Sequence, residues 1–280
     1  MKKKFSVLIN KKILSFSKKV KIPGDKSCSI RALLLASQCI GKSKIKNLLE
    51  SEDVLNCLGV LKKSFGIKIV KKNNIYEVYG NGLNSFKVKK GINKVYVGNS
   101  GTSARLFCGL LSTYPNKFYL YGDKSMNKRD MSRVFNPLEK IGAFFYPKGK
   151  RTLPITIEGT SLPLAQTHVE NLGSAQVKSS LLAAFLNTPG ISNIVEKKIS
   201  RNHTEILFKK MSSSIKIKKL KKGNLISLIG QKNLLAFNYN VGSDPSSAAF
   251  LIALTLLTSG ANLIDRNKSR CYKQNSHRHN

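Results

Sequence analysis

The chain is predicted to be an α/β protein built from repeated βαβαββ units, and three features of the sequence lead there. First, four segments share one design, in which a Gly and a few polar residues open a small-residue-rich apolar helix. They are GDKSCSIRALLLAS from Gly24, GNSGTSARLFCGLLS from Gly98, GSAQVKSSLLAAFLN from Gly173 and GSDPSSAAFLIALTLL from Gly242, with starts 74, 75 and 69 residues apart. Second, a more polar amphipathic helix recurs between them and ends at a small residue; Gly66, Gly142 and Ser212 stand 76 and 70 residues apart. Third, β-type stretches fill the gaps between helices.

In chain order, the first apolar helix follows Gly24, and the amphipathic segment from Ser51 runs through Gly66 into the strand GIKIV. Strands IYEVYG from Ile75 and KVYVG from Lys94 lead to the second apolar helix, then to KFYLYG from Lys117. The polar loop GDKSMNKR from Gly122 precedes a helix from Met131, the strand AFFY and the strand LPITIEG from Leu153. The third apolar helix is followed by NIVEK from Asn193 and by a helix from Asn202, where Asn202 and Glu205 have capping-box spacing. SIKI and NLISLIG close that repeat, and Asp244-Pro245 sets a capping side chain before a proline at the first position of the last helix.

Composition excludes several classes. Of 49 Lys and Arg against 14 Asp and Glu, 40 are Lys and nine are Arg, giving +35. Asn (24) and Ile (23) are also abundant, a bias that AT-rich codons produce without any partner. The Lys residues come as scattered pairs, as on a solvated face, so no nucleic-acid partner is expected. The longest apolar run, 248–257, is too short for a bilayer, and Lys11 and Lys12 break the N-terminal apolar segment. No membrane association and a cytoplasmic location are expected. Five cysteines (Cys28, Cys39, Cys57, Cys108, Cys271) form no C-x-x-C, which predicts free thiols in a reducing compartment. With no H-E-x-x-H or Cys/His cluster, neither metal nor cofactor is expected.

The helix starts carry the chemistry. A helix N-terminus presents unpaired N–H groups and partial positive charge, which suits phosphate and carboxylate. Cations accompany these starts: Lys26 and Arg31, then Arg105, then Lys178; Lys124, Lys128 and Arg129 lie in the 122–129 loop, and Arg201 follows Ser200. Four of nine Arg (Arg31, Arg105, Arg129, Arg201) fall here, where a forked guanidinium suits anions. The pattern predicts a small ligand with several negative charges. His203 is expected on a helix near Arg201, His168 in a polar loop, and His277 and His279 in the tail; Asp25 and Asp244 read as caps and Cys108 as core.

At these same segments the chain resembles the 3-phosphoshikimate 1-carboxyvinyltransferase (EPSP synthase) family, from about residue 21 to residue 267. The motifs are PGDKSCSIRALLLAS, NLLESEDV, GNSGTSARL, GDKSMNKRDMSRV, SAQVKSSLL, SRNHTE and GSDPSSAAF, in this order. The resemblance implies an enolpyruvyl transferase-like fold of two domains, each of three inverted βαβαββ repeats, with ligands held between them. It implies transfer of the enolpyruvyl group of phosphoenolpyruvate to the 5-hydroxyl of shikimate 3-phosphate, with release of phosphate. Lys26 would be catalytic and touch both ligands. Ser27, Arg31, Ser174, Ala175, Gln176, Ser200 and Arg201 would hold shikimate 3-phosphate, while Asn99, Gly101, Arg129 and Gln176 would serve phosphoenolpyruvate. The sibling enzyme acting on UDP-N-acetylglucosamine is the nearest alternative, but it places a Cys in the loop matching 122–129, which has none here. A non-catalytic, basic RNA-associated protein is the alternative of another class.

Ile30 stands where the family usually has His or Asn, and Asp130 replaces a usual Pro. Six repeats would need roughly 430 residues, so the second domain is expected to be incomplete. The expected division is residues 1–23 and 241–280 for the discontinuous domain, with an aberrant tail from about 268, and residues 24–240 for a complete three-repeat domain. A monomer is expected, with little turnover by this chain alone unless a C-terminal fragment complements it.

Overall fold

The computed structural model describes Leu8 and residues 14–265. The tail from about 268, with Cys271, His277 and His279, lies outside the described residues, as do Lys11 and Lys12. The chain divides into two compact units, one of residues 1–25 with 242–280 and one of residues 26–241.

In the larger unit the elements are α1 (Lys26–Ala36), β2 (Ile40–Lys46), α2 (Glu52–Gly59), β3 (Lys68–Lys72) and β4 (Ile75–Asn81), preceded in the chain by β1 (Ser17–Val20) of the smaller unit. The second repeat comprises β5 (Ile92–Tyr96), α3 (Gly101–Leu111), β6 (Lys117–Tyr121), α4 (Ser132–Glu139), β7 (Phe144–Tyr146) and β8 (Ile155–Glu158). The third comprises β9 (Thr167–Glu170), α5 (Ala175–Phe185), β10 (Ile191–Glu196), α6 (His203–Lys210), β11 (Ser214–Lys219) and β12 (Asn224–Ile229), followed by β13 (Asn238–Asn240). Three four-stranded sheets result, with orders β13-β2-β4-β3, β5-β6-β8-β7 and β9-β10-β12-β11. In each, the first two strands are parallel and the others antiparallel. The first repeat therefore takes its opening strand from the far end of the unit, so the three βαβαββ units close on one another.

The periodic small residues have a backbone cause. Gly66, Gly142 and Ser212 all adopt positive φ (66°, 113° and 56°), the left-handed conformation that terminates the amphipathic helix of each repeat. A second recurrence is steric. A Cβ on Gly80, Gly159 or Gly230 would lie 2.5 Å or less from two carbonyl oxygens at the C-terminal ends of α1, α3 and α5: Cys39 and Ala36, Tyr114 and Leu111, Thr188 and Phe185. The strands IYEVYG, LPITIEG and NLISLIG end in Gly because helix and sheet touch there. Phe65, Phe107 and Phe118 are fully buried, with Phe65 6.0 and 6.1 Å from the other two ring centroids, and they join the first two repeats.

Two expectations need correction, and three strands went unforeseen. His168 lies in edge strand β9, not in a loop. β2, β9 and β13 had no apolar alternation to reveal them: GKSKIK, THVE and NYN are mostly polar, and Ile45 and Tyr239 are the side chains that β2 and β13 bury in the core. Asn202 and Glu205 form no capping box, since Asn202 makes no side-chain cap and Glu205 turns inward to Lys178 at 2.6 Å.

In the smaller unit, β1 pairs in parallel with β14 (Asn262–Asp265), with α7 (Pro245–Leu256) between them in the chain. Asp244 caps α7 as expected, accepting from the Ser246 amide at 3.0 Å and the Ser247 hydroxyl at 2.8 Å. The helix is apolar all round, yet none of its residues is buried, and Phe250 and Leu256 are each 81% exposed.

Candidate active site

The three apolar helices of the larger unit begin at one place, tied by side chains of their first turns. Ser27 Oγ of α1 lies 3.2 Å from Thr102 Oγ1 of α3, and Gln176 Nε2 of α5 donates to the same Thr102 oxygen at 3.1 Å. Ser100 and Ser174 cap α3 and α5, accepting from the amides of Ser103 (3.1 Å) and Val177 (3.3 Å). Close crossing of α3 and α5 makes this possible: Ser180 Oγ donates to the Arg105 carbonyl at 2.6 Å, and Gly109 presents bare backbone to Ser180. Three positive helix ends thus share one polar rim.

Around that rim stand the cations. Lys26 is about half exposed and pairs with Asp53 of α2 at 2.8 Å. Arg31 is buried and fixed in orientation: Nε donates to Thr204 at 2.9 Å, NH2 to Ser179 at 3.2 Å and NH1 to the Ser27 carbonyl at 3.1 Å. Arg129 NH2 donates to Asn99 Oδ1, joining the 122–129 loop to the turn before α3. Arg105 NH1 donates to the Gly101 carbonyl at 3.1 Å, and burial, with Arg129 and Arg133 nearby, pulls its pKa below the usual range. A Cβ on Gly101 would meet Arg105 NH1 at 2.6 Å and Arg129 NH1 at 3.2 Å, so the bare glycine leaves these two guanidiniums room. Arg201 is exposed, beside a half-buried Ser200.

Lys178 departs from expectation. Its helix position suggested a cation offered to ligand, but its side chain is 1% exposed and lies between Glu196 (2.8 Å) and Glu205 (2.6 Å). Burial would push the Glu196 carboxyl up, but Lys178, Ser200 and Asn224 together hold it below its ordinary value. For Glu205 burial wins and its pKa is raised.

Two substituted positions are also placed. Ile30 is fully buried in the core and lines no part of the rim. Asp130 accepts from the Ser132 amide (2.6 Å) and hydroxyl (2.5 Å) at the start of α4, and these bonds hold its carboxyl below the usual range. Its charge is taken up in an Asx turn that leads into α4. Cys108 is core, as expected. His203 opens α6, with its Nδ1 3.4 Å from Cys28 Sγ.

Sequence reasoning missed Thr102, which joins Ser27 to Gln176, and the pair Ser179 and Thr204, 2.6 Å apart, which orients Arg31. It also missed Asp53 as partner of Lys26 and Glu196 as partner of Ser200. All of these except Glu196 carried a signal, since Asp53 lies in the NLLESEDV segment, Thr102 in GNSGTSARL, Ser179 in SAQVKSSLL and Thr204 in SRNHTE.

Comparison with known proteins fits this geometry. The family model for EPSP synthase (3-phosphoshikimate 1-carboxyvinyltransferase) matches residues 11–273. A 3-phosphoshikimate 1-carboxyvinyltransferase of Zymomonas mobilis is 36% identical over 261 residues, 93% of this chain and 57% of the relative. One from Bradyrhizobium diazoefficiens is 37% identical over 249 residues, 88% of this chain and 52% of the relative. The EPSP synthase structure from Acinetobacter baumannii superposes with a TM-score of 0.77 at 33% identity, covering 89% of this chain and 55% of that one. The chain spans little more than half the length of these relatives.

Proposed function

This chain belongs to the EPSP synthase family, and from that premise we propose that it serves transfer of the enolpyruvyl group of phosphoenolpyruvate to the 5-hydroxyl of shikimate 3-phosphate. The observation that carries the reading is the shared rim: three helix N-termini tied through Thr102, with Lys26 and Arg31 on the first helix and Arg105 and Arg129 at the second. Both substrates are multiply anionic, and the rim gathers positive charge from every repeat. Ser27, Arg31, Ser174, the Ala175 amide, Gln176, Ser200 and Arg201 hold shikimate 3-phosphate; Asn99, Gly101, Arg129 and Gln176 serve phosphoenolpyruvate. In the addition step the 5-hydroxyl oxygen bonds to C2 of phosphoenolpyruvate, the hydroxyl proton leaves, and C3 gains a proton. Elimination then expels phosphate, and a proton lost from C3 restores the double bond. Lys26, poised by Asp53, neutralises charge as it develops and assists proton transfer. The rim lies within one unit of one chain, so a monomer suffices to capture shikimate 3-phosphate. Two soluble phosphorylated substrates suit a cytoplasmic setting.

Titration calorimetry of the 280-residue chain tests the reading. Shikimate 3-phosphate is expected to bind, with affinity falling as salt rises. Shikimate without the phosphate should bind at least about tenfold more weakly, since charged hydrogen bonds contribute about 1.5–3 kcal/mol. Lys26→Met should weaken shikimate 3-phosphate by about tenfold on the same ground. Absence of binding at millimolar ligand, or binding of UDP-N-acetylglucosamine in its place, overturns it.

A further inference from the structure

The strands of the β5-β6-β8-β7 sheet alternate cleanly, and their outward side is aromatic. Val95, Phe118, Leu120, Phe145 and Ile155 are buried in the core, so the residues next to them in sequence point to the other face. That face carries Tyr96, Tyr119, Tyr121, Phe144 and Tyr146. Tyr96 stands opposite Tyr121, and Tyr119 and Tyr146 flank Thr156 on either side. Ring centroids lie 5.1 Å apart for Tyr96 and Tyr121, 5.5 Å for Tyr119 and Tyr121, and 6.5 Å for Phe144 and Tyr146. Phe144 is 60% exposed and Tyr146 46%, and apolar groups clustered on a surface in this way mark a contact site. Lysine is the other component. Lys94 and Lys117 occupy outward positions among the rings, while exposed Lys89 and Lys90 precede β5 and exposed Lys148 follows β7. The four strands contain a single carboxylate, Glu158, and Lys117 lies 3.5 Å from it. A cleft of about 550 Å³ opens beside Lys117, Phe144 and Glu158. The first sheet differs: Lys42, Lys44, Lys46 and Lys68 stand on its outward face, and Lys68 and Lys42 cover Tyr79 at 5.0 and 6.0 Å from its ring centroid. Among the described residues no lysine covers a ring of the second sheet.

We propose that this outward face is a platform for single-stranded nucleic acid, with bases stacked on its tyrosines and phosphates at Lys94 and Lys117. A net charge of +35 opposes a second copy or any basic partner and favours a polyanion. Outward positions along a strand recur about every 7 Å, a spacing that an unstacked single strand can match. A four-stranded sheet with aromatic residues on one face is an established way to stack bases, and every base offers a π face whatever the sequence. Composition gave no reason to expect this partner, because lysine pairs scatter along the chain; here the fold sets lysines between rings. The opposite face of the sheet packs into the core, so the proposal stands apart from the enzymatic reading.

Fluorescence anisotropy on the full chain tests it with an oligouridylate and an oligothymidylate of about 12 nucleotides, inorganic polyphosphate, and a copolymer of Glu and Tyr. At least one oligonucleotide is expected to bind with a Kd of about 1–100 µM, and the tighter of the two identifies RNA or DNA as the source. Tyr146→Leu keeps apolar cover on an edge strand but loses the ring, and should weaken binding at least about fivefold; Tyr146→Phe should retain it. Tyr96→Leu gives the same readout from the other side of the sheet. Lys94→Ala should weaken binding and reduce the slope of log K against log salt by about 0.7, whereas Lys44→Ala on the first sheet should leave it within about twofold. The melting temperature and shikimate 3-phosphate binding of Tyr146→Leu should match the parent. Polyphosphate binding as tight as either oligonucleotide, with none of them altered by Tyr146→Leu, would show that charge alone acts and overturn the proposal. Preference for the Glu and Tyr copolymer would assign the face to an acidic protein and overturn it equally. So would failure of both oligonucleotides to bind at about 100 µM in low salt. None of these outcomes touches the reading of the rim.

Discussion

Lys178→Met is expected to destabilise the larger unit by about 3–5 kcal/mol, the range for removing one partner of a buried ion pair. The side chain is 1% exposed, and its ammonium is the cation of two buried carboxylates, Glu196 and Glu205. Methionine fills the space but leaves both anions without a countercharge, and Glu205 Oε2 already has no hydrogen-bond partner among the described residues. The pH dependence gives the test its sign. In the parent chain Glu196 lies below the ordinary 4.5, so its contribution is complete above 4.5 and is lost as pH falls through the folded value. Glu205 lies above 4.5, so its contribution is present below 4.5 and is lost as pH rises through its folded value. Without Lys178 both carboxyls rise and both follow the second pattern. The deficit of Lys178→Met should therefore be largest at about pH 7.5 and shrink toward about pH 5. Glu205→Gln, which removes the surplus negative charge, should cost far less, and should recover part of the loss when added to Lys178→Met. Urea unfolding at the two pH values decides this; a deficit that grows on acidification would sink it.

That triad shows where sequence reading stops. The repeat architecture was legible because each unit leaves three periodic marks: a polar turn before an apolar helix, a small residue ending the amphipathic helix, and a strand closing in Gly. Each mark has a local cause in backbone conformation or close packing, and local causes repeat with the fold. Strands such as β2, β9 and β13 were illegible because their positions are set by neighbouring backbones and not by alternation. The circular closure of the first sheet through β13 is a property of the assembled unit, and no window of sequence contains it.

For the candidate site the division is similar. Lys26, Ser27, Arg31, Asn99, Gly101, Arg129 and Gln176 stand in motifs, and the fold brings their segments to one rim. Lys178 also stood in such a motif, one position nearer its helix start than Arg105, yet its side chain is consumed by partners 18 and 27 residues further along the chain. A cation near a helix start is a ligand group only when no carboxylate folds over it. The 35 surplus positive charges concealed this, because in so basic a chain each of the 14 acidic residues has many cations to choose from. Which one it takes is decided by tertiary packing.

Gly109→Ala is expected to be strongly destabilising, and Gly59→Ala to be mildly stabilising, though both lie in helices. At Gly59, in α2, a Cβ would meet nothing within 4 Å. There alanine gains the usual advantage of about 0.4–1 kcal/mol, through fewer unfolded conformations and better helix propensity. At Gly109, in α3, the Cβ would lie 2.0 Å from the Ser180 carbonyl oxygen and 2.7 Å from its carbon. These are backbone atoms of α5 and cannot rotate away, so the helices must separate, and overpacking of this kind typically costs 1–3 kcal/mol and occasionally more. We expect about 3 kcal/mol net, a fall in melting temperature of about 6–12 °C for a unit of this size, against a rise of about 1–4 °C for Gly59→Ala. The same separation reaches the rim. Thr102 at the start of α3 accepts from Gln176 at the start of α5 across 3.1 Å, and a shift of about 1 Å breaks that bond. Gly109→Ala should therefore weaken shikimate 3-phosphate binding even at temperatures where the variant remains folded, whereas Gly59→Ala should leave it unchanged. Melting curves and calorimetry on the two variants check both halves. Equal stability of Gly109→Ala and the parent would show that α3 and α5 do not cross as closely as the fold requires.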